Sequence, residues 1–164
     1  MPRRRIIIKR TWQADPIYNS IAATRFINNL MKDGKKAKAQ KIFYSAIDYI
    51  REKTGQDGFK IFQQALKNTM PVVEVWPRKI AGASYLVPRV VSPERRFYKA
   101  VKWIISAARS KKGKPMYIRL AEEIISAYNN EGDAIKKKLE IQKQAEANRA
   151  FAHFAWWGRK SKKK

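Results

Sequence analysis

Pro71-Val72-Val73-Glu74-Val75-Trp76-Pro77-Arg78-Lys79-Ile80-Ala81-Gly82-Ala83-Ser84-Tyr85-Leu86-Val87-Pro88-Arg89-Val90-Val91 is the stretch on which the fold turns. Residues on either side repeat at helical spacing, and here the repeat stops. β-Branched and aromatic residues rise in two runs around the turn Ile80-Ala81-Gly82-Ala83, which is a hairpin signal. Pro77 and Pro88 lack the N–H that a ladder needs, so neither run can be a central strand. The spacing predicts a two-stranded β-ribbon over 72–91, protruding from a helical body. Such a ribbon is marginal in water by itself. Its basic residues Arg78, Lys79 and Arg89 predict that something anionic steadies it.

Working outward, three helices precede the ribbon and three follow. Ala23, Ile27, Leu30 and Met31 share one face after Asp15-Pro16, and Asp33-Gly34 ends that helix. Ala39, Ile42, Phe43, Ala46 and Ile50 line the second, which Gly55 stops. Asp57 can cap a third, carrying Phe59, Phe62, Leu66 and Thr69 up to Pro71. Pro93 suits the first turn of a fourth, with Phe97, Ala100, Val101, Ile104, Ile105 and Ala108 as its apolar stripe. Pro115 opens a fifth with Tyr117, Leu120, Ala121, Ile124, Ile125 and Tyr128. Asp133 begins a sixth, mostly polar apart from Ile135, Leu139 and Ala145, which should be peripheral or face a partner. The expected class is mainly α: a single helical domain over 16–151, a basic N-terminal arm over 1–15 and a basic C-terminal tail over 152–164.

Charge sets the partner. The 164 residues hold 37 Lys or Arg against 13 Asp or Glu, a net charge of +24. That surplus opposes compaction unless a polyanion neutralises it, so nucleic acid comes first and an anionic membrane second. Membrane-surface helices would set cations opposite a lipid-facing stripe. Here the cations gather at helix ends and loops, and no apolar run reaches the ~20 residues of a membrane span. No export signal is visible, so the protein is expected where it is made. Cysteine is absent and His153 is the single histidine, which leaves no thiol nucleophile, no Cys-based zinc site and a poor basis for a triad. Glu122 and Glu123 are adjacent on one helix and point apart, which suits counter-charge for the basic loops better than acid–base chemistry. Neither an enzyme nor a cofactor is expected.

The basic clusters are Arg3-Arg4-Arg5 with Lys9 and Arg10, then Lys35-Lys36, Arg95-Arg96, and Arg109 with Lys111, Lys112 and Lys114. Cations at a helix start oppose the helix dipole, yet with backbone N–H groups they make a good phosphate site. A reader of duplex DNA usually offers one recognition helix. Charge spread over arms, loops and ribbon suits a large folded RNA instead, and a DNA-compacting protein is the alternative. Trp12, Trp76, Tyr85 and Trp156-Trp157 lie among the cations, where stacking on bases and packing compete. Trp103 on the fourth helix is expected in the core, and His153 as a packed or RNA-contacting residue.

One family carries these residues in this order: Pro2-Arg3-Arg4-Arg5, Asp15-Pro16, Met31-Lys32-Asp33-Gly34-Lys35-Lys36, Pro71-Val72-Val73-Glu74-Val75, and Ala145-Glu146-Ala147-Asn148-Arg149-Ala150-Phe151-Ala152-His153-Phe154. The chain resembles the small ribosomal subunit protein seven family, of bacterial or organellar type, from its first residues to about Trp156. The resemblance implies six helices with a β-ribbon between the third and fourth. It implies direct binding to the three-prime major (head) domain of small-subunit ribosomal RNA, nucleation of head assembly, and a cytoplasmic or organellar ribosome as location. It further implies a position at the subunit interface near the exit site, beside transfer RNA, messenger RNA and the eleventh small-subunit protein. By matching position, Arg3, Arg4, Arg5, Lys35, Lys36, Arg95, Arg96 and Arg109 would touch ribosomal RNA. Arg78, Lys79 and Gly82 would belong to the ribbon on the transfer RNA side, toward which Arg149 would also run. Where the family turn carries paired glycines, this chain has Ala81-Gly82.

Overall fold

The computed structural model describes residues 12–155. Its elements run α1 Ile21–Leu30, α2 Lys36–Thr54, α3 Gly58–Thr69, β1 Val73–Ile80, β2 Ala83–Val90, α4 Pro93–Ser110, α5 Met116–Tyr128, α6 Asp133–Ala147 and a 3-10 helix Arg149–Ala155. The expected mainly helical architecture is present, with the antiparallel ribbon between α3 and α4.

Local chemistry explains the boundaries. Asp57 Oδ1 accepts the Phe59 N–H at 3.0 Å, capping α3, and Pro93 fills the first turn of α4, where a missing N–H costs nothing. Gly58 is required by packing: a Cβ there would stand 2.4 Å from the Ile47 carbonyl oxygen, so α2 and α3 approach as only glycine allows.

The core joins three phenylalanines from three helices. Phe26, Phe43 and Phe62 are fully buried, with ring centres 5.0–5.5 Å apart, each pair adding about 0.5–1.5 kcal/mol beyond burial. α5 packs against α2, α3 and α4, inserting Leu120, Ala121 and Ile124. Trp103 packs against this core, as expected. Leu139 on α6 is exposed, in keeping with a peripheral helix.

The ribbon register pairs Val73 with Val90 and Ile80 with Ala83, so Ala81 and Gly82 alone make the turn. Both have positive φ, 48° and 87°, the pattern of a type I′ turn, whose twist matches the flanking strands. In a two-stranded ribbon each strand is an edge, which accommodates Pro77 and Pro88. The ribbon also packs on α6, and β2 meets the 3-10 helix through Tyr85, whose ring lies 5.0 Å from Phe151 and 5.9 Å from Phe154.

Candidate nucleic-acid interface

Two of the expected basic clusters meet in one hollow. Lys35 and Arg109 lie far apart in sequence. The end of α1, the start of α2, the end of α4 and the start of α5 bring them together with Lys32, Lys38 and Arg119 around a cavity of about 390 Å³. Leu30, Met31, Ala39, Ile42 and Met116 form its apolar walls. Arg109 Nη2 donates to the Leu30 carbonyl at 3.1 Å, satisfying an otherwise orphan acceptor at the end of α1. Arg119 is held in the same way by the Lys111 carbonyl. Lys35 stands at the N-cap of α2 without a side-chain cap. Like charges crowd here against the positive end of a helix dipole, an arrangement that favours an anion in the hollow. Lys36 is exposed beside it.

The second centre is the junction of ribbon and α4. Glu74 is fully buried, and three cations converge on it: Arg89 and Arg95 at 2.8 and 2.9 Å, and Lys99 at 2.7 Å. Burial pushes its carboxyl up, but hydrogen bonds from Lys99, Arg95, Arg89 and Trp76 outweigh that and hold it down at about 2. The anion that steadies the root of the ribbon is therefore inside the chain. Arg96 Nε donates to the Val91 carbonyl at 2.9 Å. Trp76 lies under both arginines, 4.1 Å from Arg89 and 4.9 Å from Arg95.

The loop after α4 is partly neutralised by α5. Lys111 pairs with buried Glu123 at 2.7 Å, whose other oxygen accepts the Ala134 N–H and so ties α5 to α6. Lys114 pairs with Glu122, and that hydrogen bond raises the ammonium pKa. Both glutamates are counter-charges, and Lys112 stays exposed.

Toward the far end of the ribbon Arg78 donates to the Phe154 carbonyl, while Lys79 and Gly82 are exposed; Arg149 is exposed at the ribbon's root, beside Pro71–Val73 and Pro88–Val90. Tyr85 packs against Phe151 and Phe154. His153 keeps Nδ1 within 2.8 Å of the Ala150 carbonyl and its ring 4.0 Å from Phe154. Trp12 is half exposed, with Arg25 over it at 5.9 Å. Arg3, Arg4, Arg5, Lys9, Arg10 and Trp156-Trp157 lie outside the described residues. Asp15 prepares the exit of the arm: Oδ2 accepts the Ile17 and Tyr18 N–H groups and Oδ1 accepts the Tyr44 hydroxyl at 2.7 Å.

Sequence reasoning did not single out Glu74 or Asp15 as anchors, nor Lys32, Lys38 and Arg119 as companions of Arg109. For Glu74 one signal existed, an acid in a β-branched run opposite an arginine in the only register the short turn permits. Among the described residues there is no cluster of three or more His, Cys, Asp or Glu suited to a metal. No helix among them is long and apolar enough to cross a membrane.

Set beside known sequences, the chain is a small-subunit ribosomal protein, and its helical body with a β-ribbon and cations at element ends suits that class. The family model for ribosomal protein S7p/S5e matches residues 2–149. Small ribosomal subunit protein uS7 of Fervidobacterium nodosum is 54% identical over 154 residues, covering 94% of this chain and 99% of its own. The uS7 of Thermotoga maritima is 53% identical with the same coverage. That of Caldanaerobacter subterraneus is 51% identical over 156 residues, 95% of this chain and all of the relative. The chain belongs to the S7 family of small-subunit ribosomal proteins. It is a structural component of a ribonucleoprotein and not an enzyme, with ribosomal RNA and other ribosomal components as its partners. In bacteria such a protein is cytoplasmic.

Proposed function

We propose that this protein binds the three-prime major domain of small-subunit ribosomal RNA directly and nucleates folding of the head. The carrying observation is the hollow in which Lys32 and Lys35 of the α1–α2 connection, Lys38 of α2, Arg109 of α4 and Arg119 of α5 converge. Phosphates entering it displace counterions and relieve the mutual repulsion of the five cations. The packed helical body fixes the backbone positions from which these side chains project, and bonds to backbone carbonyls hold Arg109 and Arg119. Arg95 and Arg96, Lys112 and the basic arm with Arg3, Arg4, Arg5, Lys9 and Arg10 extend the footprint. In this reading the ribbon residues Arg78, Lys79 and Gly82, and Arg149 at the ribbon's root, face exit-site transfer RNA, messenger RNA and the eleventh small-subunit protein, as the family resemblance implies.

The test is binding of the full chain to a transcript of the head domain over a salt series, with duplex DNA as competitor. Lys35→Ala with Lys38→Ala should weaken binding and reduce the salt slope by roughly 1 for each phosphate no longer neutralised, while helical content stays the same. Equal affinity for duplex DNA would favour the DNA-compacting alternative and overturn this reading.

A further inference from the structure

Glu74 and Trp76 are two residues apart on β1 and therefore share one face of the ribbon. Both meet the same two arginines. Arg89 directs Nε and Nη2 to Glu74 Oε1, each at 2.8 Å, and Arg95 directs Nε to Oε2 at 2.9 Å. Their guanidinium carbons lie 4.1 and 4.9 Å from the centre of the Trp76 ring. The carboxylate is wholly buried, yet the arginine side chains stay 44% and 42% exposed. Two like charges are thus fixed at the surface, bonded by one buried carboxylate and supported by one aromatic ring. The bond from Arg95 leaves both its Nη groups out of the pairing, and Arg89 keeps Nη1. A planar guanidinium oriented through one edge can offer its remaining N–H groups to a second oxyanion.

Resting on the RNA-binding reading above, we infer that Arg89 and Arg95 form a preformed clamp for an RNA phosphodiester, with Glu74 and Trp76 as its positioning residues. The consequence runs against charge counting. Neutralising Glu74 raises the net charge by one and on that ground should tighten binding to a polyanion. In the clamp, Glu74 instead removes the need to order two flexible arginines at the moment of binding, an entropic cost that would otherwise weaken the contact. An acidic residue thereby strengthens an anion site.

The experiment measures affinity of the full chain for the head-domain transcript across a salt series, with circular dichroism and melting as controls for folding. Glu74→Gln should bind about tenfold more weakly while keeping its salt slope, because both arginines still reach phosphate. Trp76→Leu, which changes no charge, should bind roughly three- to tenfold more weakly, and Trp76→Phe, which keeps an aromatic face but not the indole N–H that Glu74 accepts, should recover part of that loss. On an Arg89→Ala, Arg95→Ala background neither change should matter further. Wild-type or tighter binding by a folded Glu74→Gln protein would overturn the clamp. Should that variant not fold, unchanged binding by Trp76→Leu would overturn it. Failure of the wild type to prefer the ribosomal transcript over duplex DNA counts against the parent reading and involves no variant, so the two failures are distinct.

Discussion

Lys99 Nζ, on the second turn of α4, stands 2.7 Å from Glu74 Oε2 on β1, and the carboxylate it meets has no exposed surface. With Arg89 and Arg95 it makes Glu74 the joint between ribbon and helical body. The folded carboxyl titrates at about 2 against an ordinary value of 4.5. Its folded pKa is depressed, so the stabilisation is complete above about pH 4.5 and disappears as pH falls toward 2. Allowing for the partial exposure of the arginines, it is worth on the order of 2–3 kcal/mol. Urea unfolding between pH 7 and pH 2 should show Glu74→Gln less stable than wild type at neutrality, with the gap closing through that window. A gap independent of pH would mean that Glu74 acts through packing alone.

Tyr44 reports on the segment that precedes α1. Burial, then the hydrogen bond to Asp15 and the charge of that carboxylate, push its phenol up to about 12. A raised folded pKa means that its stabilising effect is whole below about pH 10 and is lost as pH rises through 12. Tyr44→Phe leaves Asp15 Oδ1 without that donor and should cost about 1–2 kcal/mol. Ultraviolet titration should show Tyr44 ionising last in the wild type, with Tyr18 also raised by burial, and the last phase should be missing from the variant. Asp15 also fixes the first described turn, so the loss should appear in amide exchange at Ile17 and Tyr18.

Much of this architecture is written locally. Asp57, Pro71, Pro93 and Pro115 punctuate the chain where helices begin or end, and periodic stripes such as Val101, Ile104, Ile105 and Ala108 state which face is inside. What periodicity cannot state is which charges lose their freedom. Lys111 and Lys112 are neighbours of one type, yet one is spent on Glu123 and the other is exposed. Arg78 looks like a ribbon-tip cation and is bonded to the backbone of Phe154. These outcomes depend on contacts between distant segments, and so does the meeting of Lys35 with Arg109.

Gly58 tests how closely the second and third helices must approach. A methyl group there would stand 2.4 Å from the Ile47 carbonyl oxygen and 3.1 Å from its Cγ2, and the first of these is backbone that cannot rotate away. Gly58 is the first residue of α3, so Gly58→Ala gains well under the ~1 kcal/mol of helix-interior propensity, while overpacking costs typically 1–3 kcal/mol and here forces two helices apart. The expected outcome is net destabilisation by about 1–2 kcal/mol in thermal or urea unfolding. A stabilised variant would show that α2 and α3 separate without loss.

The ribbon turn is where this chain departs from paired glycines, and it carries a measurable strain. Ala81 sits at φ 48° and Gly82 at φ 87°. The left-handed region costs a residue with a Cβ roughly 1–2 kcal/mol, least for asparagine, whose side chain bonds locally. Asn-Gly is the preferred pair for this two-residue turn. Ala81→Asn should therefore stabilise the ribbon by up to about 1 kcal/mol without altering register, since Ile80 and Ala83 still pair. Replacement by glycine should gain less, because the freer unfolded chain offsets the relief. Amide exchange along β1 and β2 should slow in the asparagine variant while the core amides of α4 and α5 stay as they are. Faster exchange in the ribbon would mean that the turn tolerates Ala81 for a reason other than backbone geometry.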